Sequence, residues 1–206
     1  MNYCSQCGKP ISLKIPQGDN RERHVCDHCE TIHYQNPRII AGCIPSQEDK
    51  VLLCKRAIEP RHGLWTLPAG FMENGETTIE GALRECMEEA RTSIEEPALS
   101  CIYDIPHINQ VYIFYRGPLS DKGFAPGDES LEVELFTESE VPWNELAFPV
   151  VELALHYYFE DMKRGLFEVR TGVSRDPGSG FAAEYVSASV PARSPAKLTL
   201  KYGIES

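Results

Sequence analysis

The stretch Gly70-Phe-Met-Glu-Asn-Gly-Glu76, followed after seven residues by Arg84-Glu85-Cys-Met-Glu88-Glu89, constrains this chain more than any other feature. It sets a glycine-containing loop beside a short helix with three carboxylates on one flank. Anchored on Glu85 at about 100° per residue, Glu88 lies about 60° to one side and Glu89 about 40° to the other. Ile79, Ala82, Leu83, Cys86, Met87 and Ala90 follow the i, i+3, i+4, i+7 pattern and gather on a separate, core-facing side. Thr77-Thr-Ile-Glu80 fits a capping box and marks the helix start. Three glutamates so close repel one another, and Arg84, an i, i+4 partner of Glu88, offsets only part of that. Hard cations such as Mg²⁺ or Mn²⁺ take oxygen ligands and commonly join carboxylates to substrate phosphates. A solvated acidic face would account for the glutamates alone. It would not account for the glycine loop, both spacings and the apolar face together.

At 206 residues with 42% apolar content, the chain can bury one full core and carry one small extra module. A formal net charge of −11 argues against a nucleic-acid partner held through its phosphate backbone. An acidic protein handling an anionic ligand needs local cations, and bound metal ions would supply them. No apolar run reaches membrane-spanning length, and Met-Asn-Tyr-Cys does not begin a signal pattern. The expectation is therefore a cytoplasmic protein with no membrane partner.

Cysteine usage agrees with that compartment. Cys43, Cys54, Cys86 and Cys101 sit singly in apolar or helical contexts, as buried thiols do. Cys4-Ser-Gln-Cys7 and Cys26-Asp-His-Cys29 are two Cys-x2-Cys pairs separated by eighteen residues. That spacing matches a four-cysteine zinc ribbon, whose paired turns present thiolates tetrahedrally. A disulfide framework is the alternative, disfavoured without a secretory signal. With four cysteines available, His24, His28 and His33 are expected at the surface or behind the ligands. So polar a segment needs its metal to fold, which makes the Zn²⁺ structural.

The organisation expected is a zinc ribbon over residues 1–36, a main domain carrying the carboxylate helix over 37–168, and a C-terminal tail over 169–206, extended or partly disordered. Arg38–Ile44 and Lys50–Lys55 read as paired strands, followed by strands at Leu99–Asp104, Gln110–Arg116 and Leu131–Phe136. Gly117 to Ser130 is a polar loop long enough to cover a site, and Phe148 to Lys163 has the apolar spacing of a second helix. Leu198–Tyr202 reads as a stray strand. The fold class expected is α/β, a mixed sheet flanked by helices.

Gly70-x5-Glu76-x7-Arg84-Glu85-x2-Glu88-Glu89 resembles the signature box of the Nudix hydrolases, which cleave nucleoside diphosphates linked to another moiety. The resemblance implies an α/β/α sandwich. It also implies Mg²⁺ or Mn²⁺ held by Glu85 and Glu89, with Glu88 a further ligand and the Ala69 carbonyl another. Arg84 would brace the glutamates, and Glu76 would brace the loop or meet the metal through water. Glu129 and Glu132 are candidates for a base or extra ligand, with Glu132 slightly favoured and an exposed loop carboxylate the plainer account of each. The box usually ends in Glu-Glu-x-Gly-apolar, whereas Glu89-Ala90-Arg91-Thr92 stands here. If Arg91 took the left-handed cap conformation, it would cost roughly 1–2 kcal/mol.

A ribbon ahead of the box resembles two groups within that family. The Ser-Gln-Pro-Trp-Pro-Phe-Pro marker of the NADH pyrophosphatases has no counterpart near Glu95–Pro106. Cys54-Lys-Arg-x5-His62-Gly-Leu-Trp-Thr-Leu-Pro-Ala-Gly70, Phe124-Ala-Pro-Gly-x-Glu-Ser-Leu-Glu132 and Leu146-Ala-Phe148 are similar to FAD and ADP-ribose pyrophosphatases of plants and bacteria. That likeness implies release of AMP from ADP-ribose, FAD or both, and family relatives suggest a homodimer. Substrate-binding residues remain open: Tyr112, Phe114 and Phe71 could stack on a base, though strand aromatics are more often core. A nucleotide-cleansing enzyme is a rival, as is a nucleotide-sensing regulator. The regulator would not need all three box glutamates.

Overall fold

Two closely similar turns shape the N-terminal end of the chain. In the computed structural model, which describes residues 1–174, the amide of Gly8 donates to Cys4 O at 2.9 Å and that of Cys4 to Lys9 O at 2.8 Å. The second turn repeats the scheme, Glu30 to Cys26 O at 2.9 Å and Cys26 to Thr31 O at 3.0 Å. Gly8 and Glu30 hold matching positions with φ of 69° and 59°. Three antiparallel strands, β1 (Ser12–Lys14), β2 (Arg23–Val25) and β3 (Ile32–His33), complete this unit, which spans Met1–Pro37. Its buried apolar residues are only Cys4, Val25 and Cys26. Arg23 pairs with Asp19 at 2.9 Å and Lys14 with Asp27, so the basic residues here are partly neutralised.

The second unit begins at Arg38. Its strands are β4 (Arg38–Gln47), β5 (Lys50–Arg56), β6 (Trp65–Thr66), β7 (Ala69–Phe71), β8 (Ala98–Ile105), β9 (Gln110–Pro118), β10 (Ser130–Thr137) and β11 (Arg170–Val173). They form one sheet in the order β10-β5-β4-β9-β8-β11, with β6 beside β5 and β7 beside β4. The β4–β9 and β8–β11 pairs are parallel and the rest antiparallel, so the sheet is mixed, as expected. The expected β4–β5 pairing is confined to Ser46↔Val51 and Gln47↔Lys50. Earlier along β4, Ile40 to Gly42 pair with β7 instead, which brings the glycine loop into the sheet.

Strand alternation feeds two layers. On one face, Ala41, Cys43 and Tyr115 pack on Ala82 and Cys86, and Leu52 and Cys54 on Ala90, all from helix α1 (Thr78–Ala90). On the other, Ile44, Val51, Leu53 and Phe114 pack on Val150, Val151, Ala154, Leu155 and Phe159 of helix α2 (Pro149–Arg164). This is the helix–sheet–helix sandwich. All four single cysteines are buried free thiols.

β11 and its anchor lie in the segment read from sequence as tail. Arg170 is buried and forks onto Asp161 of α2, while the Glu168 amide donates to Asp161 Oδ2 at 3.0 Å. The strand read at Leu198–Tyr202 lies outside the described residues. Among the described residues, no helix is long and apolar enough to cross a membrane.

Candidate active site

The capping box forms as read: Thr77 Oγ1 accepts from Glu80 N at 3.2 Å, and Glu80 Oε2 from Thr77 N at 2.7 Å. The buried arc of α1 differs from the expected stripe. Ile79 and Met87 are 36% and 41% exposed, whereas Glu89 is only 6% exposed. Seven residues at about 100° each bring Glu89 to within about 20° of Ala82, so the sheet covers Glu89 and leaves Met87 at the margin.

Glu85, Glu88 and Glu89 therefore occupy three different environments. Glu89 Oε2 accepts from the Ala69 amide at 3.1 Å, tying helix to β7. Burial pushes its carboxyl up to about 8, with the charges of Glu85 and Glu129 adding to the effect and the Ala69 amide and Arg56 opposing it. Glu85 is also raised, first by burial, against the pull of Arg84. The Glu88 side chain is 58% exposed. Gly70 is the floor of the arrangement: a Cβ there would meet the Glu85 carboxylate at 2.4 Å.

Arg84 organises the rest. Its Nη1 donates to Glu85 Oε1 at 2.7 Å and to Glu88 Oε2 at 3.0 Å. Nε and Nη2 grip Glu76 at 3.0 and 2.9 Å, and Nη2 also reaches Phe71 O at 3.1 Å. Glu76 Oε1 accepts in turn from Glu73 N at 2.6 Å. Hydrogen bonding from Arg84 holds the Glu76 carboxyl down at about 2, so it stays ionised.

Arg91 takes the left-handed cap at φ 51°, with its amide on Met87 O at 3.0 Å. The residue usually glycine in the box is thus strained rather than the helix re-ended. Loop contacts accompany that strain. The amides of Ala125 and Gly127 donate to Ala90 O and Glu89 O at 3.0 and 2.9 Å, satisfying helix-end carbonyls. Arg91 also pairs with Asp128 at 2.8 Å. Only glycine fits at 127, because a Cβ would fall 1.6 Å from Glu88 O. The loop thereby delivers Glu129 toward the site, where its charge is felt by both Glu85 and Glu89. Glu132 is bound by Lys55 Nζ at 2.9 Å and its side chain is 56% exposed. Of the two candidates, Glu129 lends its charge to the box glutamates and Glu132 is engaged by Lys55.

The NUDIX domain model matches residues 36–154, more than half of the chain. This chain belongs to the Nudix hydrolase family. A crystal structure of a NUDIX hydrolase from Nitrosomonas europaea is 52% identical, covering 85% of this chain and 100% of that one with a TM-score of 0.82. An ADP-ribose pyrophosphatase from Methanocaldococcus jannaschii is 31% identical over 121 residues, 56% of this chain and 69% of that protein. An NAD-capped RNA hydrolase from Edwardsiella ictaluri is 34% identical over 95 residues, 45% of this chain. Those residues span only 34% of that relative's length.

The Nudix N-terminal zinc-ribbon model matches residues 2–35. Within that unit the sulfurs of Cys4, Cys7, Cys26 and Cys29 all lie within 4.8 Å of one another. Cys4 and Cys29 are 3.6 Å apart and Cys7 and Cys26 3.5 Å, with no disulfide formed. A tetrahedral zinc with Zn–S of about 2.3 Å sets its sulfurs about 3.8 Å apart, so the thiol group fits such an ion. His33 Nε2 lies 3.3 Å from Cys4 Sγ and the Gln6 amide 3.4 Å, contacts that support a ligand from behind. Among the described residues, no three carboxylates close to that span. Glu85 and Glu88 instead turn to Arg84.

Sequence reasoning placed Arg56 and Gly127 only within the motifs of the resemblance, with no part in the chemistry, and gave Asp128 none. Gly127-Asp128 lies in the loop read over Gly117 to Ser130, and the helix end it meets is remote in sequence. Among the aromatic candidates, Phe114 is fully buried and Tyr112 packs against the core, whereas Phe71 is 49% exposed with Arg38 over its ring at 4.9 Å.

Proposed function

We propose that this Nudix protein is a Mg²⁺- or Mn²⁺-dependent pyrophosphohydrolase that cleaves the diphosphate linkage of nucleoside diphosphate derivatives, releasing AMP. ADP-ribose, FAD or both are the substrates proposed. The single observation that carries this is the setting of Glu85 and Glu89. Two carboxylates are drawn out of water beside Gly70, and the arginine next to them has already committed its donors to Glu76, Glu85, Glu88 and Phe71 O. Such a box has charge to give to a divalent ion, and its own arginine has no donor left to offset a diphosphate. Similarity to an ADP-ribose pyrophosphatase supports the substrate class.

In this proposal Glu85 and Glu89 hold the ion, with Glu88 completing the cluster and the Ala69 carbonyl adjoining it. A divalent ion there would polarise water and offset charge on the phosphate oxygens. Glu129, with Glu132 as the alternative, takes the proton from the attacking water. Arg84 and Glu76 keep the glutamates aimed, and exposed Phe71 offers the base an aromatic face. Four thiolates hold a structural Zn²⁺ in the ribbon. A cytoplasmic homodimer remains part of the proposal.

A second reading, pyrophosphatase action on NADH or an NAD-type end, is favoured by the likeness to an NAD-capped RNA hydrolase. One panel of ADP-ribose, FAD, NADH and NAD-capped RNA, assayed for AMP or cap release with and without Mg²⁺, separates the two. Metal-independent turnover, or none on any member, would overturn the proposal.

A further inference from the structure

Two guanidinium groups carry charge to the carboxylates of α1, Arg84 to Glu85 and Arg56 to Glu89, and their bonding is opposite. An arginine offers five N–H donors. Arg84 makes five hydrogen bonds, two from Nη1, two from Nη2 and one from Nε, which leaves it nothing for a substrate. Among the described residues, Arg56 makes one side-chain hydrogen bond, from Nε to Pro60 O at 2.9 Å. Among the described residues no carboxylate pairs with it.

Arg56 is nonetheless held in place. It ends β5, its amide donates to Leu64 O at 2.9 Å, and its carbonyl accepts from Gly63 at 2.9 Å. The guanidinium lies over the Phe148 ring at 5.3 Å. Its backbone is opposite Ser130, and the next amide, Ala57, donates to Glu129 O at 2.8 Å. A half-buried cation, with four donors unused among the described residues, is thus braced by a carbonyl and a ring beside Glu129, in a chain of net charge −11. Planar forks held this way match phosphate oxygens.

We propose that Arg56 binds a phosphate oxygen of the substrate's diphosphate on the Glu89–Glu129 side of the site. This rests on the pyrophosphohydrolase proposal above and assigns the cation that the box itself does not provide.

Steady-state kinetics on ADP-ribose with saturating Mg²⁺, for wild type, Arg56→Met and Arg56→Lys, test it. Arg56→Met raises KM roughly 10- to 100-fold, kcat falls by less than KM rises, and Arg56→Lys recovers part of the loss. Melting temperatures run in parallel exclude misfolding, and Arg56→Lys carries the test if Arg56→Met does not fold. A second measurement stands apart from turnover: calorimetric binding of inorganic pyrophosphate in the presence of Mn²⁺ weakens by a similar factor in the variants, while Mn²⁺ alone binds as in wild type. A KM and a pyrophosphate affinity within twofold of wild type would overturn the role of Arg56. Wild type that hydrolyses none of the panel would overturn the function proposal instead, and pyrophosphate binding would still decide Arg56.

Discussion

A Cβ placed on Gly70 would stand 2.4 Å from the Glu85 carboxyl carbon and from each of its oxygens. That approach is closer than any side chain permits, so the loop glycine and the helix carboxylate fit only as a pair. Gly70→Ala is expected to push Glu85 off its position and lower kcat/KM by at least about tenfold, the scale seen when a support of a metal ligand is lost. Mn²⁺ titration of the variant should show weaker binding with the fold retained.

Glu89 sets a pH dependence with a definite sign. Its carboxyl, ordinarily at 4.5, stands at about 8 in the folded protein. The folded state therefore keeps a proton that the unfolded chain has released, and stability falls as pH rises between those values. Glu89→Gln removes that penalty, and without added metal it should be more stable than wild type at pH 8 by about 1–4 kcal/mol, read from denaturant unfolding. The same variant should lose turnover by several orders of magnitude. Normal activity in Glu89→Gln would remove the assignment. Mg²⁺ affinity of wild type should rise with pH up to about 8, because the ion displaces that proton.

Glu76 is shifted the other way. Held at about 2 by Arg84, it stays charged through the acid range where other glutamates titrate, and the brace is lost only as pH falls toward that value. Glu76→Gln should free Arg84 to compete for Glu85 and Glu88, and activity should drop about 10- to 100-fold with KM for Mg²⁺ raised. Unchanged metal dependence would show that Glu76 does not act through Arg84.

Arg91 offers a stabilising change. Arg91→Gly relieves the left-handed cap, worth roughly 1 kcal/mol, and gives up an exposed pair with Asp128 worth less. A higher melting temperature is expected, and a lower one would mean that Asp128 holds the loop more firmly than its exposure implies.

For the ribbon, metal analysis should return about one zinc per chain. Cys26→Ser should lose it, since each of the four sulfurs lies within 4.8 Å of the others and removal of one opens the tetrahedron.

Much of this molecule could be read from its residues because the signals are local. The Thr77–Glu80 capping box, the strand periods, the two cysteine turns and the carboxylate spacing each act over a few positions, where backbone geometry alone decides the outcome. What lay beyond reach depended on partners far away in the chain. Burial of Glu89 under the sheet, insertion of β7 beside β4, closure of the α1 carbonyls by Ala125 and Gly127, and the approach of Arg56 to the Glu129 backbone are all meetings between remote segments. Periodicity says which side of a helix is apolar, but only packing says which charged residue the sheet also covers. For that reason the sequence determined that three glutamates share a flank, and tertiary structure alone decided that one is buried, one partly buried and one exposed.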